Sequence, residues 1–113
     1  MSSLSKKSCV PCRGGIAPLT KSEYEPLLAE LGEEWEVIDT HHLEKTILLK
    51  NFAEALTFTN QVGSIAEKEG HHPDIELGWG RVKIIIWTHK IDGLSESDFI
   101  LAAKISAIGK TAA

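Results

Sequence analysis

Residues 67–98 read EKEGHHPDIELGWGRVKIIIWTHKIDGLSESD, and the rest of the chain is arranged around this stretch. Gly70 predicts the end of a helix, because glycine readily takes the left-handed conformation of a helix C-terminus. Residues 75–79 alternate apolar and polar side chains, which predicts a strand with one apolar face. The dipeptide Gly80-Arg81 then fits a two-residue turn with glycine first, so we expect the chain to return as an antiparallel strand.

The same patterns recur along the whole chain and predict a single fold class. Helices and strands alternate in the order α-β-β-α-β-β-α, which predicts an α+β two-layer sandwich with three helices on one face of a four-stranded antiparallel sheet. We expect an irregular N-terminal arm at residues 1–19 and one domain at residues 20–109. The predicted helices are 22–32, 51–70 and 95–108, and the predicted strands are 34–39, 43–49, 75–79 and 82–88.

The first helix has two possible N-caps. Thr20 with Glu23 and Ser22 with Glu25 both have the spacing of a capping box, in which side chains bond the unpaired amides of the first turn. Pro26 favours the second pair, because proline is tolerated only near the start of a helix.

Length and composition describe an ordinary globular domain. With 113 residues the chain has room for a single core. A net charge of −4 argues against direct nucleic-acid binding, which usually needs a clustered basic face. No apolar run approaches the roughly 18 residues of a membrane span, and the first residues lack the apolar core of a signal peptide. We therefore expect a cytoplasmic protein without a membrane partner.

The two cysteines form a Cys9-x-x-Cys12 motif in the N-terminal arm. Such a motif can be a redox pair or half of a zinc site. A closed zinc site needs four ligands, and no second cysteine pair or nearby histidine completes one. A solvated arm without catalytic duty is the interpretation we favour, with metal and redox chemistry left open.

The last predicted strand is apolar on both faces. Val82, Ile84 and Ile86 point one way, while Ile85 and Trp87 point the other way. An antiparallel sheet with one solvated face should alternate apolar and polar residues. Self-association of the chain is the simplest explanation.

Three of the five histidines lie in the opening stretch, at points where regular structure begins or ends. His71 and His72 follow the helix, and His89 ends the last strand. Adjacent antiparallel strands place these positions near one another. Because imidazole exchanges protons near neutral pH, two such rings across a small cavity suit an elimination. One protonates a leaving hydroxyl group and the other removes a proton from the substrate.

Other interpretations of the histidines remain open. All three can be solvated or structural, or they can form a metal site, since three-histidine sites bind zinc. His41 and His42 lie in a predicted turn, and we expect both to be solvated. Glu67 is one helical turn before His71 and can hold that ring, although it can equally be a surface charge. Asp98 fits a helix cap better than a catalytic group.

The spacing Glu67-x3-His71-His72-Pro73-x5-Trp79-x9-His89-x8-Asp98 resembles the signature of the pterin-4a-carbinolamine dehydratases. The likeness extends from Leu19 to Ile108. It implies dehydration of 4a-hydroxytetrahydropterin to quinonoid dihydropterin, with the pterin as substrate and with no metal or other cofactor. It also implies helices over a four-stranded sheet, assembled as a homodimer or homotetramer.

The resemblance further implies roles for individual residues. His71 and His89 become the acid and base, and His72 binds and orients the pterin. The remaining positions would bind substrate, at Pro73, Thr88 and Trp35, or support the histidines, at Glu67 and Asp98.

Lys90 departs from the family pattern, which often has an acidic residue there. A cation beside His89 favours the neutral ring and so a role as base. A non-catalytic alternative, pterin binding or stabilisation of a transcription-factor dimer, is compatible with the same fold.

Overall fold

The computed structural model describes residues 4–7, 17–32 and 34–111, with side chains as far as Ile108. Within that part of the chain, three α-helices and four strands follow in the predicted order, so the α+β prediction is confirmed. The elements are α1 (Lys21–Leu31), β1 (Glu36–Ile38), β2 (His42–Leu48), α2 (Phe52–Glu69), β3 (Asp74–Gly78), β4 (Arg81–Ile86) and α3 (Glu96–Thr111).

The four strands form one antiparallel sheet in the order β1-β2-β4-β3. Two hairpins therefore lie side by side, joined by the pairing of β2 with β4, in which Leu43 lies opposite Ile86. Alternate residues of β4 are fully buried on the helix side of the sheet, and they pack with the apolar faces of α2 and α3. The buried residues of β4 are Val82, Ile84 and Ile86.

The face of β4 that points away from the helices has charged neighbours, which the sequence of β4 alone does not indicate. Ile85 and Trp87 are only half-buried in the single chain. Ile85 lies opposite Glu44 of β2, and the Lys83 ammonium is 3.4 Å from the Glu44 carboxylate. This face thus combines apolar and charged side chains, so burial of β4 alone does not require self-association.

Helix α1 uses the earlier of its two possible caps, so the preference for Ser22 is wrong. The Thr20 amide donates to the Glu23 carboxylate at 2.8 Å. The reason is a tertiary contact that precedes the cap: the Leu19 amide donates to the carbonyl of Leu94 at 2.8 Å. This anchor fixes where the chain enters the helix, and Pro26 consequently lies inside it.

The turn between β3 and β4 lies one residue earlier than predicted. Gly78 pairs with Arg81, so the turn consists of Trp79 and Gly80, and Trp79 is exposed instead of joining the apolar face. A side chain at position 80 would meet the carbonyl oxygen of Leu49 at 2.9 Å, which explains the glycine. The resulting shift in pairing is two residues, and since side chains alternate with a period of two, every strand residue keeps its predicted face.

Part of the N-terminal arm is ordered against the domain. Leu4–Lys6 forms a single turn of 3-10 helix, and the Leu4 side chain is buried in the core. The Ser5 carbonyl accepts a hydrogen bond from Lys104 of α3 at 2.9 Å. The prediction of an irregular, solvated arm is therefore wrong for this turn. Cys9 and Cys12 lie outside the described residues, and the domain division stays a prediction.

No helix in the described ranges combines the length and the apolar composition that crossing a membrane requires.

Candidate active site

His71 is held by a buried carboxylate from another helix. Helix α2 ends at Gly70, which adopts the left-handed conformation at φ +66°, and the next residue turns towards α3. The His71 Nε2 atom lies 2.6 Å from Oδ1 of Asp98, whose side chain is fully buried. Because a carboxylate accepts, Nε2 carries the proton in this bond. Nδ1 is left without a hydrogen-bond partner among the described residues.

Asp98 serves as helix cap and as histidine partner at once. Its Oδ2 atom accepts from the Ser95 amide at 2.8 Å and from the Thr88 hydroxyl at 2.9 Å, while Oδ1 faces His71. Three donors thus converge on one carboxylate that has no contact with water. Such an acceptor is well fitted to fix the orientation of the His71 ring.

Glu67 pairs with His72, not with His71 as the helical spacing suggested. The Glu67 Oε2 atom bonds Nε2 of His72, and both side chains are largely exposed. The difference arises after the left-handed Gly70, where the His71 amide bonds the carbonyl of Ala66 and its ring turns towards Asp98. The two adjacent imidazoles therefore have separate acidic partners, as expected from their predicted divergence.

His89 begins a single turn of 3-10 helix, His89–Ile91, shortly after β4. Its side chain is exposed, and the ring centroid lies 4.3 Å from that of Trp87. Neither ring nitrogen has a hydrogen-bond partner within the described part of the chain. Both nitrogens are consequently available to a ligand.

All three histidines line the same cavity, which has a volume of about 310 Å³. That volume lies at the small end of the range of ligand pockets, about 300–1,000 Å³. The lining is completed by Gly70, Trp87, Thr88 and Lys90. A second cavity of about 370 Å³ beside the start of α2 contains Glu54 as its ionisable residue and no histidine. The first cavity can therefore support proton transfer between its imidazoles and a bound ligand.

Two residues assigned to substrate binding by resemblance do not line this cavity. Trp35 is buried in the core, where its Nε1 atom donates to the Ser106 hydroxyl of α3 at 2.8 Å. Pro73 is half-buried beside the cavity residues but is not part of the lining. Trp35 packs in the core of this chain, and its assignment to substrate binding stays a prediction.

His41 and His42 are bonded side chains, so the expectation that both are solvated is wrong. The His41 Nε2 atom lies 2.7 Å from Asp92, and the His42 Nε2 atom lies 2.9 Å from Glu44. The two Nδ1 atoms are 3.1 Å apart. The His42 imidazole is the main reason why the pKa of Glu44 is lowered from its usual value.

The position of these two histidines depends on the pairing of β2 with β4. Leu43 lies opposite Ile86, so the preceding His42 comes beside Trp87, at 6.1 Å between ring centroids. The sequence carries no local signal for a pairing between strands from different hairpins. The only indication in the sequence was that the start of β2 and the end of β4 both carry aromatic side chains.

In the described ranges, no three side chains of the types His, Cys, Asp and Glu are grouped closely enough to hold a metal ion. The three-histidine metal site therefore has no ligand cluster in this part of the chain.

The fold and this cavity define a small α+β protein whose histidines are placed for proton transfer on a bound ligand. The chain matches the family model for pterin 4 alpha carbinolamine dehydratase over residues 17–108, and it belongs to that family.

Similar proteins cover nearly the full length of the chain. A protein of Alkaliphilus metalliredigens, provisionally named a pterin-4-alpha-carbinolamine dehydratase, is 56% identical over 93% of this chain and 95% of its own. A protein of Rubrobacter xylanophilus with the same provisional name is 54% identical over 96% of this chain and 100% of its own. Among solved structures, a transcriptional coactivator/pterin dehydratase from Brucella melitensis is 33% identical, with a TM-score of 0.75 over 80% of this chain and 97% of that chain.

Proposed function

We propose that this protein dehydrates a 4a-hydroxytetrahydropterin to the quinonoid dihydropterin. The C4a–oxygen bond breaks, the hydroxyl group leaves as water after it gains a proton, and the adjacent ring nitrogen loses its proton to form the C=N bond. The observation that carries the proposal is the convergence of His71, His72 and His89 on one cavity. An elimination of this kind needs one proton donor and one acceptor within reach of the same ligand.

His71 and His89 are the proposed acid and base. With Nε2 of His71 bonded to Asp98, its Nδ1 atom is the nitrogen left for proton exchange. The Asp98 carboxylate stabilises the positive charge that the ring carries while it holds the second proton, as the buried aspartate does in catalytic triads. His71 thus suits the donor role. His89 lines the same cavity, and neither of its ring nitrogens has a hydrogen-bond partner in the described part of the chain, so a nitrogen is available to accept the substrate proton in the role of base.

His72 is the proposed binding residue. Its bond to Glu67 orients the ring, but both side chains are largely exposed, so this pair is less rigid than the buried pair of His71 and Asp98. Thr88 lines the cavity and also donates to Asp98, so it can support His71 and contact the pterin. The pterin is the substrate in this proposal, and no metal or further cofactor takes part.

A direct assay tests the reaction and the metal alternative together. Freshly generated 4a-carbinolamine is mixed with the protein in a stopped-flow instrument, with and without a chelator. We expect accelerated loss of the carbinolamine, unchanged by the chelator. If the protein does not accelerate dehydration, the proposed reaction is wrong. If the chelator abolishes the acceleration, a metal takes part.

We also propose that the chain assembles as a homodimer or homotetramer. Helix α2 exposes Phe52 and Leu56, which lie one helical turn apart on the same flank. Large apolar side chains grouped on a surface commonly mark an interface. We expect light scattering to give a multiple of the 12.4 kDa chain mass.

Leu56→Glu would place a charge in this interface and is expected to lower the measured mass towards that of one chain. Gln61→Glu, on another flank of α2, is the matched control and should leave the assembly intact. A monomeric unmodified protein at micromolar concentration would contradict the assembly.

The non-catalytic alternative is a pterin-binding or dimer-stabilising module. Such a module would not accelerate dehydration, so replacing the histidines would leave the rate of carbinolamine loss unchanged. The histidine variants described in the Discussion separate it from the enzyme. A cytoplasmic location is part of our proposal.

A further inference from the structure

Trp87 lies in the cavity wall, and neither the sequence motif nor the family resemblance gives it a role. It follows β4 directly and lines the cavity together with the three histidines. Its indole centroid is 4.3 Å from the imidazole centroid of His89, with 40° between the ring planes. This distance lies just below the range of about 4.5–7 Å that is typical of favourable aromatic pairs, so the two rings are in close contact.

The three cavity histidines differ in what holds them. His71 is bonded to Asp98, and His72 is bonded to Glu67. The ring of His89 has no carboxylate or other hydrogen-bond partner among the described residues, and its ring contact is with Trp87. The indole face therefore limits the rotation of an otherwise exposed imidazole.

Trp87 is itself held by the turn between β1 and β2. Its centroid lies 5.4 Å from that of His41 and 6.1 Å from that of His42. The turn is tightly constrained, since Asp39 and Thr40 both have positive φ values, 53° and 56°. These values are those of a tight hairpin turn. His41 and His42 follow it directly, and both rings lie beside the indole.

The same turn is tied to the segment that carries His89. The His41 Nε2 atom lies 2.7 Å from the Asp92 carboxylate. The Asp92 amide in turn donates to the carbonyl of His89 at 3.2 Å. Across the base of this segment, Thr88 and Gly93 form a β-bridge. Side chain and backbone of His89 are thus both connected to the turn, through Trp87 and through Asp92 respectively.

We propose that Trp87, braced by His41 and His42, is a positioning residue that fixes the imidazole of His89 in the cavity. The proposal rests on the proposed function, because it assumes that His89 transfers a proton. A base that rotates freely must be ordered in each turnover, whereas a ring already held in place avoids that cost. The aromatic contact supplies this order where a carboxylate supplies it for the other two histidines.

The first test compares Trp87→Leu with the matched variant Trp79→Leu, which removes an exposed indole from the β3–β4 turn. Misplacing a reacting group by about 1 Å can cost about 10²-fold in rate, so we expect kcat of Trp87→Leu to fall by about 10- to 100-fold. Trp79→Leu should retain full turnover. Trp87→Phe keeps an aromatic face and should recover most of the activity. Unchanged kcat in Trp87→Leu would overturn the proposal.

A double variant shows whether Trp87 acts through His89. If Trp87 only positions that ring, Trp87→Leu should have no further effect on kcat when His89 is already replaced by alanine, since residues acting as a unit are not additive. An equal fold-loss in both backgrounds would mean that Trp87 contacts the substrate or stabilises the fold independently, and would overturn the positioning role.

A spectroscopic readout tests the ring contact without any turnover. The indole ring current should displace the imidazole proton signals of His89 in the NMR spectrum, where they are identified by their absence in His89→Ala. Trp87→Leu should move them to ordinary values, and Trp79→Leu should not. Unmoved signals in Trp87→Leu would overturn the contact. Displaced signals in a protein that does not dehydrate the carbinolamine would instead locate the failure in the proposed reaction.

Discussion

Replacing His71 with alanine is expected to lower kcat for carbinolamine dehydration by about 10²–10⁴-fold, the usual contribution of a positioned general acid or base. His89→Ala should have an effect of the same order. Both rings line the cavity, and each has a nitrogen without a partner among the described residues. Stopped-flow decay of the carbinolamine under saturating and limiting substrate gives kcat and KM separately.

Three comparisons make this result specific. His72→Ala removes the proposed binding ring and should raise KM with a smaller change in kcat, because uniform binding affects KM alone. Asn60→Ala, an exposed change on α2, should alter neither constant. The double variant of His71 and His89 should be little slower than the worse single variant. Turnover that survives in either single variant, with fold and assembly intact, would remove that histidine from the mechanism.

The elements of this fold were predictable because their signals are local. Asn51 caps α2 by accepting from the Glu54 amide at 2.9 Å, and Gly70 ends that helix, both as their residue types indicate. The β3–β4 turn was predicted one residue too late, but the strand residues still point to the predicted faces of the sheet, because the pairing shifted by two residues. The choice of cap for α1 was wrong because the contact that decides it, from Leu19 to Leu94, joins residues distant in sequence.

The site was predictable in part for the same reason. His71, His72 and His89 lie at the ends of elements in adjacent strands, so their approach follows from one hairpin. The partner of Glu67 was not predictable, because it depends on how the chain leaves the left-handed Gly70. The bracing of Trp87 by His41 needs the pairing of β2 with β4, which no local pattern encodes.

Replacing Asp98 with asparagine is expected to affect stability and catalysis together, since one buried carboxylate performs both tasks. The carboxylate accepts from His71, Thr88 and the Ser95 amide. An asparagine side chain presents one oxygen and one NH₂ group, so at least one donor loses its acceptor in a site closed to water. An unsatisfied buried group costs about 1–3 kcal/mol, and each kcal/mol corresponds to about 4 °C in the melting temperature of a domain of this size.

The effect on turnover follows from the tautomer of His71. If the NH₂ group of the introduced asparagine donates to Nε2, that nitrogen can no longer carry a proton, and the ring holds a single proton on Nδ1. The doubly protonated ring, which is the proposed acid, is then disfavoured. The corresponding change in a catalytic triad lowers kcat by about 10⁴-fold, and we expect a loss of about 10²–10⁴-fold here. Nitrogen NMR of the His71 ring reports the tautomer directly and distinguishes this cause from loss of the helix cap.

The matched control is Glu96→Gln, which removes an exposed acidic group from the same first turn of α3. It removes the exposed ion pair with Lys7 at 2.9 Å and weakens the interaction of the helix dipole with charge, but it breaks no buried bond. Because exposed ion pairs contribute little, melting temperature and kcat should change little. If Asp98→Asn behaved like Glu96→Gln, the bond to His71 would have no role in orienting the ring. If it lowered the melting temperature but left kcat intact, Asp98 would be a helix cap alone, and His71 would need another partner to carry positive charge during the reaction.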